Sequence, residues 1–397
     1  MKKIKEQTAV VYIITKLELG GAQKVCLALF NGVESPEYQT HLISGAEGAL
    51  SAEVKHNPNA HLTPTMVREI SLFGIVTEIR NFFALIKQLR TLKKEYSNVI
   101  VHTHSTKAGI VGRWAAWFAG IKNSIHTVHG FAFHNFQSWL TWTALYIPEL
   151  VTSFITTKFV FVSQADAKTA SRLFPRIKNK TVLIRAAIDD HHFIATHKQM
   201  MNKTVRQSAP KEHAHPFIIG TISCFKPQKN LLDLLKAFEH AYRQDPNIRL
   251  EVIGDGQQRP ALEAFIAHHK LEKVVSLHGW QLDVAPIMKK WHIFALSSLW
   301  EGLPCAIIEA RLLKLPIISY RIGGISDVIH HGVNGLLYDA TNSASKSTNW
   351  QKLSQAMLML AHDATLYATL AQYPDNLQNF TKNDMIERHK KLYQELI

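Results

Sequence analysis

Cysteine is scarce in this sequence of 397 residues: Cys26, Cys224 and Cys305 stand far apart and form no Cys-x-x-Cys pair. That spacing argues against a disulfide framework and a structural zinc site, and a reducing compartment is expected. Acidic residues are in deficit, 31 Asp and Glu against 45 Lys and Arg. Asp-x-Asp occurs nowhere, which removes the simplest carboxylate clamp for a divalent cation, so no metal site is expected. Long apolar runs are missing as well. Trp139–Ile155 falls short of the roughly 20 residues of a spanning helix and contains Pro148 and Glu149. The opening Met1-Lys2-Lys3-Ile4-Lys5 has the charge of a secretory leader, but no small-x-small cleavage site follows, and Lys16 and Glu18 end the apolar run. A cytoplasmic protein is expected, soluble or peripheral on the inner face of the membrane.

What is present is enough apolar material, 46% of the residues, for two domains of ordinary size. The basic excess is uneven: residues 1–197 carry 22 Lys and Arg against 13 Asp and Glu, leaving 23 against 18 for the remainder. Such a balance suits nucleic acid, phosphorylated ligands or an anionic membrane. The nucleic-acid reading rests on charge alone, since no RNA- or DNA-binding module is recognisable, and none is expected as a partner.

Short runs rich in β-branched residues alternate with longer amphipathic stretches, the pattern of a parallel sheet covered by helices. Strands are expected at Ala9–Thr15, Gln39–Ser44, Asn98–His102, Ser124–His129 and Phe159–Ser163, with helices near Ala22–Asn31, Ile75–Lys94, Lys107–Phe118 and Gln164–Leu173. The polar stretch 197–216 reads as a linker. The alternation then restarts, with strands at Phe217–Ser223, Arg249–Ile253, Val274–Leu277, Ile293–Leu296 and Pro316–Ser319 and helices near Leu231–Tyr242, Arg259–His269, Pro304–Leu313 and Trp350–Ala361. The expected organisation is an α/β chain of two facing doubly wound domains, 1–196 and 217–375, with a cleft between them and a final helical segment, 376–397, able to pack back on the first domain. Ligands of such sheets sit beyond the carboxyl ends of the strands.

The chemistry-bearing residues lie in those strand-to-helix loops. Glu301 and Glu309 are eight apart in SLWEGLPCAIIEAR (298–311), a loop carboxylate followed by a helical one. Leu303, Pro304 and Cys305 stand between them, and Pro304 fits the first position of a helix whose free N–H groups suit a phosphate. Lys226 and Lys229 lie in KPQKN, Gly254 and Gly256 in GDG, and Trp280 follows Gly279. Glycine permits a tight turn and close backbone approach, and an indole face can flank a base. In the first half Gly20 and Gly21 directly follow the first strand, and HTHSTKAGIVGRWAAWFAGIKNSIHTVHGFAFH (102–134) ends with His129 at a strand terminus. The His102-x-His104 spacing invites a metal reading, but no acidic ligand cluster accompanies it.

These segments resemble, in order and over nearly the whole chain, the retaining glycosyltransferases of family 4, with the GT-B fold of two facing Rossmann-like domains. Glu301 to Glu309 looks like their Glu-x7-Glu motif, and 102–134 looks like a run found in bacterial polysaccharide glycosyltransferases of that family. The resemblance implies metal-independent transfer of a sugar from a nucleotide sugar, a UDP-sugar above all, to a glycan or polyprenyl-linked acceptor in cell-envelope polysaccharide synthesis, without a cofactor. It implies roles as well: Lys229 on the donor diphosphate, Glu309 on the ribose, and Glu301 and His129 on the sugar. Gly20, Gly21, Gly254, Gly256, Trp280 and residues 303–305 would line the donor. Cys224 stands where the family has an arginine, and Lys226 is the cation left to substitute for it. A UDP-sugar epimerase with two facing Rossmann domains is the alternative.

Two segments have a possible membrane role. Glu78–Lys94 combines an apolar stripe with Arg80, Lys87, Arg90, Lys93 and Lys94, and Phe131, Phe133, Phe136, Trp139 and Trp142 form an aromatic cluster. Either could meet lipid, or simply cover the sheet as core.

Overall fold

The structure is a computed structural model that describes residues 5–63, 75–189, 193–196, 216–340 and 349–397. The chain folds into two compact units, Met1–Ile188 together with Gln378–Ile397, and Asp189–Leu377. The break thus follows Ile188 instead of residue 196, and nearly all of the expected linker lies outside the described residues.

The first unit is a seven-stranded sheet, every neighbour parallel, in the order β3-β2-β1-β4-β5-β6-β7. Its strands are β1 (Lys5–Ile14), β2 (Tyr38–Gly45), β3 (Ala60–Thr63), β4 (Tyr96–His104), β5 (Asn123–Val128), β6 (Lys158–Phe161) and β7 (Thr181–Leu183). The helices are α1 (Gly21–Val33), α2 (Ser51–Val54), α3 (Ile75–Glu95), α4 (Thr106–Phe118), α5 (Trp139–Ser153) and α6 (Gln164–Leu173). β1 is buried from Ala9 to Ile14, as expected for a central strand covered on both faces. Two strands, β3 and β7, escape the sequence pattern because they are short edge strands that owe their form to a neighbour. The helix α5 escapes it too: Pro148 lies inside it, and Ser138 caps it by accepting from Thr141 N–H. Phe131, Phe133 and Trp142 do pack against Phe161 and Phe174, whereas Phe136 and Trp139 are exposed, so the aromatic cluster divides between core and surface.

The last helix, Lys382–Gln394, belongs to this unit. Its Ile386 meets Gly32 of α1, where any Cβ would clash, and its Tyr393 is fully buried against Tyr12 and His102.

The second unit is a six-stranded parallel sheet in the order β10-β9-β8-β11-β12-β13, from β8 (Phe217–Ile222), β9 (Ile248–Ile253), β10 (Val275–Leu277), β11 (Ile293–Leu296), β12 (Ile317–Tyr320) and β13 (Gly335–Tyr338). Its main helices are α7 (Leu231–Gln244), α8 (Arg259–His268), α9 (Cys305–Leu312) and α10 (Asn349–His362). Pro304 precedes α9 as its N-cap, not its first residue, because its backbone is extended (ψ 111°). Both sheets have the doubly wound, Rossmann-like strand order expected from the sequence.

In both sheets the strand order reverses once, at β1/β4 and at β8/β11. Loops leaving the two strands at a reversal diverge to opposite faces and open a crevice, so these points position any ligand.

Candidate functional site

At the reversal of the second sheet, the β8 loop supplies Lys229 and the β11 loop supplies Glu301, and their side chains form an ion pair only 15% and 8% exposed. Several bonds fix it. Ser297 Oγ donates to the carbonyls of Lys229 and Asn230 at 2.9 and 3.0 Å, Leu299 N–H donates to Gln228 O at 2.8 Å, and Gln228 Nε2 donates to Trp300 O at 2.8 Å and to Glu301 Oε2 at 3.4 Å. Burial pulls the Lys229 ammonium down, but the Glu301 carboxylate more than reverses this and holds it above the ordinary lysine value, with the Cys224 and Cys305 thiols adding to the shift. Asn230 takes the left-handed conformation (φ 49°) that turns the chain into α7.

Glycines seat this loop pair. Gly254 (φ +127°) would place a Cβ 1.9 Å from Ser223 O, and Gly256 (φ +150°) one at 2.9 Å from Phe225 O. The close approach that GDG permits is therefore to the chain's own β8 loop. Gly323 (φ +48°) likewise lies against Glu301 O, and Gly324 N–H donates to Gly302 O at 2.6 Å. Trp280, beside the Gly254–Gly279 bridge, is 47% exposed. Leu303 and Pro304 are buried, Cys305 and Lys226 half-buried, and Glu309 is buried just over one turn into α9.

The first sheet's reversal combines a hydroxyl bridge with an ion pair, Lys107 of α4 with Glu78 of α3 at 2.6 Å, which lines the same small cavity as Thr15. Thr15 Oγ1 and Ser105 Oγ, from the loops after β1 and β4, bond across it at 2.8 Å. Gly20 caps α1 with an extended backbone (φ −153°), so neither it nor Gly21 has a backbone that demands glycine. The loop before them is held by Leu17, whose carbonyl accepts from Leu50 N–H at 2.9 Å, and by Gly48, whose Cβ would strike the Leu17 carbonyl.

Behind this loop lies a row of imidazoles. His102 Nδ1 bonds Tyr393 Oη and His102 Nε2 bonds Thr127 Oγ1, each at 2.7 Å, and Tyr393 Oη bonds Tyr12 Oη at 3.0 Å. His104 stacks on His102 (4.6 Å) and its Nδ1 lies 3.0 Å from His129 Nε2. Burial lowers all of them: His102 and His104 well below the ordinary value, His389 to about 4 and His129 to about 3, with His389 also lowering His129. The rings are neutral at pH 7. Since His104 Nε2 is buried without a partner, it is best placed as the bare nitrogen, which puts the proton on Nδ1 as donor to His129. His129 then carries its own proton on Nδ1. Among the described residues no group of three His, Cys, Asp or Glu could hold a metal ion.

A family model described as "Glycosyltransferase Family 4" matches residues 19–192, and one described as "Glycosyl transferases group 1" matches 203–373, so together they take in most of both units. The chain belongs to these glycosyltransferases. It is 29% identical over 343 residues to the Escherichia coli UDP-Gal:alpha-D-GlcNAc-diphosphoundecaprenol alpha-1,3-galactosyltransferase, covering 85% of this chain and 86% of that protein. The Staphylococcus aureus capsular polysaccharide biosynthesis glycosyltransferase CapM is 23% identical over 300 residues, 75% of this chain and 76% of that one. Among solved structures, Anabaena HepE in complex with UDP and glucose superposes with a TM-score of 0.76 at 17% identity, covering 98% of this chain and 99% of that one, which shows a shared fold.

Within this glycosyltransferase, the structure brings together Lys229 with Glu301, and His129 with His104. It adds Gln228, Ser297, Gly323 and the Thr15–Ser105 bridge, which sequence reasoning missed. Only IGG at 322–324 carried a local signal; the others are common polar residues whose role depends on a partner distant in sequence.

Proposed function

We propose that this glycosyltransferase moves a sugar from a UDP-sugar to a lipid-linked or polysaccharide acceptor of the cell envelope, with retention at the anomeric carbon and without a metal ion, at the cytoplasmic face of the membrane. The Lys229–Glu301 pair carries the reading: a fixed, partly desolvated ammonium at a sheet reversal is suited to charge developing on a departing diphosphate. An ammonium has three N–H donors, so Lys229 can keep Glu301 while donating to a phosphate. The reaction breaks the bond from the anomeric carbon to the UDP oxygen and forms one to the acceptor oxygen on the same face. The acceptor proton passes to the leaving phosphate oxygen. Glu301 holds sugar hydroxyls, the buried Glu309 accepts from the ribose, and Trp280 flanks the base, while the Nδ1–H of neutral His129 in the first unit is a donor suited to a sugar hydroxyl. Lys226 assists Lys229 where Cys224 replaces an arginine. The names of the Escherichia coli relative, which includes UDP-Gal and a diphosphoundecaprenol acceptor, and of the UDP-bound HepE support this choice of donor and acceptor.

The test is a thermal-shift screen of nucleotide diphosphates with EDTA present, followed by assay of product stereochemistry by NMR. UDP at about 100 times its Kd should stabilise by about 2.7 kcal/mol and Glu309→Ala should abolish the shift. No response to any nucleotide, or a response that needs a divalent cation, overturns the reading.

A further inference from the structure

We propose that the first unit docks on an anionic lipid bilayer through the joined outer faces of α3, α4 and α5. The helix α5 carries one charged residue, Glu149, and that side chain turns inward to a buried ion pair with Arg113 at 2.7 Å. Its outward stripe is apolar from end to end: Trp139, Leu140, Ile147 and Val151 are 46 to 74% exposed, and Phe154 continues the line at 57%. A helix on the surface of a water-soluble protein ordinarily presents polar residues there.

The stripe is not isolated. Trp114 of α4 donates from Nε1 to Thr152 of α5 at 3.0 Å, its ring packs on Trp117 and Phe118, and Phe118 packs on Phe82 of α3 at 5.9 Å. Trp117 and Phe118 are about half exposed, and α3 adds the exposed Val76, Ile79 and Phe83. Nine of the seventeen large apolar side chains exposed among the described residues therefore lie on these three adjoining helices, a patch and not a scatter.

The chemistry of the rim selects the occupant. Arg80, Lys87, Arg90, Lys93 and Lys94 are all exposed on α3. Arg90 and Lys93 reach the carbonyls of Phe118 and Gly120 at 3.0 and 2.7 Å, and Lys180 reaches those of Ser153 and Thr156, so cations stand where α4 and α5 end. Long basic side chains flanking an apolar face fit acidic headgroups above acyl chains. A second copy of the chain would bring the same cations against themselves. Among the described residues no helix is long and apolar enough to cross a membrane, so this contact lies on the surface of the bilayer.

This inference extends the proposed lipid-linked acceptor, and its test is independent of transfer. The full chain is sedimented with vesicles of phosphatidylcholine alone and with phosphatidylglycerol added. Binding to the mixed vesicles should be about tenfold or more stronger, weaken with salt, and fall by at least as much in Leu140→Glu/Ile147→Glu and in Lys87→Glu/Lys94→Glu. An unchanged melting temperature establishes that these variants fold. Absence of vesicle binding, binding that both double variants retain, or a dimer in solution that Leu140→Glu/Ile147→Glu disperses overturns the proposal. Loss of the UDP response with vesicle binding intact would sink the proposed donor and leave this surface standing.

Discussion

The two units reverse their strand order at the same place, and each has an ion pair there, but the groups buried most deeply at or behind the reversal differ in chemistry. In the second, Lys229 and Glu301 keep full charges against each other in a nearly dry loop pair. In the first, His102, His104, His129 and Tyr393 are joined by neutral hydrogen bonds. Burial is made tolerable in two ways. A charge withdrawn from water needs an opposite charge at contact distance, whereas an imidazole can shed its proton and be satisfied by a hydroxyl. The first solution retains a cation for an anionic ligand. The second provides rigid N–H and O–H groups and becomes vulnerable wherever protons are abundant.

Acid should separate the units most strongly. A histidine whose folded pKa is depressed contributes stability that is complete above its unfolded value near 6.5 and lost as pH falls towards the folded value. His389, lowered to about 4, alone removes about 3 kcal/mol between those limits, and His129 and its neighbours add to it. Lys229 has the reverse sign: its raised value contributes stability below about pH 10.5 that is lost as pH rises through the folded value. Hydrogen exchange followed by mass spectrometry should show the first unit, including Lys382–Gln394, opening first below pH 6. Simultaneous opening of both sheets would erase this contrast.

Removing one half of the charged pair comes next. Lys229→Ala leaves Glu301 buried without its cation and should cost about 3 kcal/mol in urea unfolding, together with about 100-fold or more of transfer activity. Lys229→Met/Glu301→Leu should recover much of the stability and none of the activity. Recovery of activity would show that the pair is structural only.

Gly254→Ala distinguishes loops seated by glycine from loops that are not. With a Cβ 1.9 Å from Ser223 O and φ of +127°, it should cost about 2 kcal/mol and weaken UDP binding by displacing the β8 loop, while Gly21→Ala, with no such dihedral, should change stability little. Titration calorimetry with UDP reads both. The smallest effect belongs to Tyr393→Phe, which removes the hydroxyl between Tyr12 and His102 and strands a buried nitrogen, for about 1 kcal/mol. A melting temperature equal to the wild type would mean that the His102 bond contributes nothing net.

The class of fold was legible in the sequence, because short apolar runs, most of them rich in β-branched residues, alternate with longer amphipathic stretches, the pattern of a parallel sheet covered by helices. The positions of Glu301, Lys229 and His129 after strands, and of Glu309 on the helix that follows, were also legible, since each comes after a recognisable strand. Edge strands such as β3 (AHLT) and β13 (GLLY) were not, because neither holds a β-branched apolar run and each owes its form to the neighbour it pairs with. The partners emerged only from the folded chain. Lys229 and Glu301 are 72 positions apart, and Tyr12 and Tyr393 are 381. Folding likewise turned Glu149 inward to Arg113 and left an apolar stripe of α5 towards solvent. Local patterning sets which face of a strand or helix is dry, while the pairing of two polar groups depends on where the whole chain brings them, and a linear sequence does not display that distance.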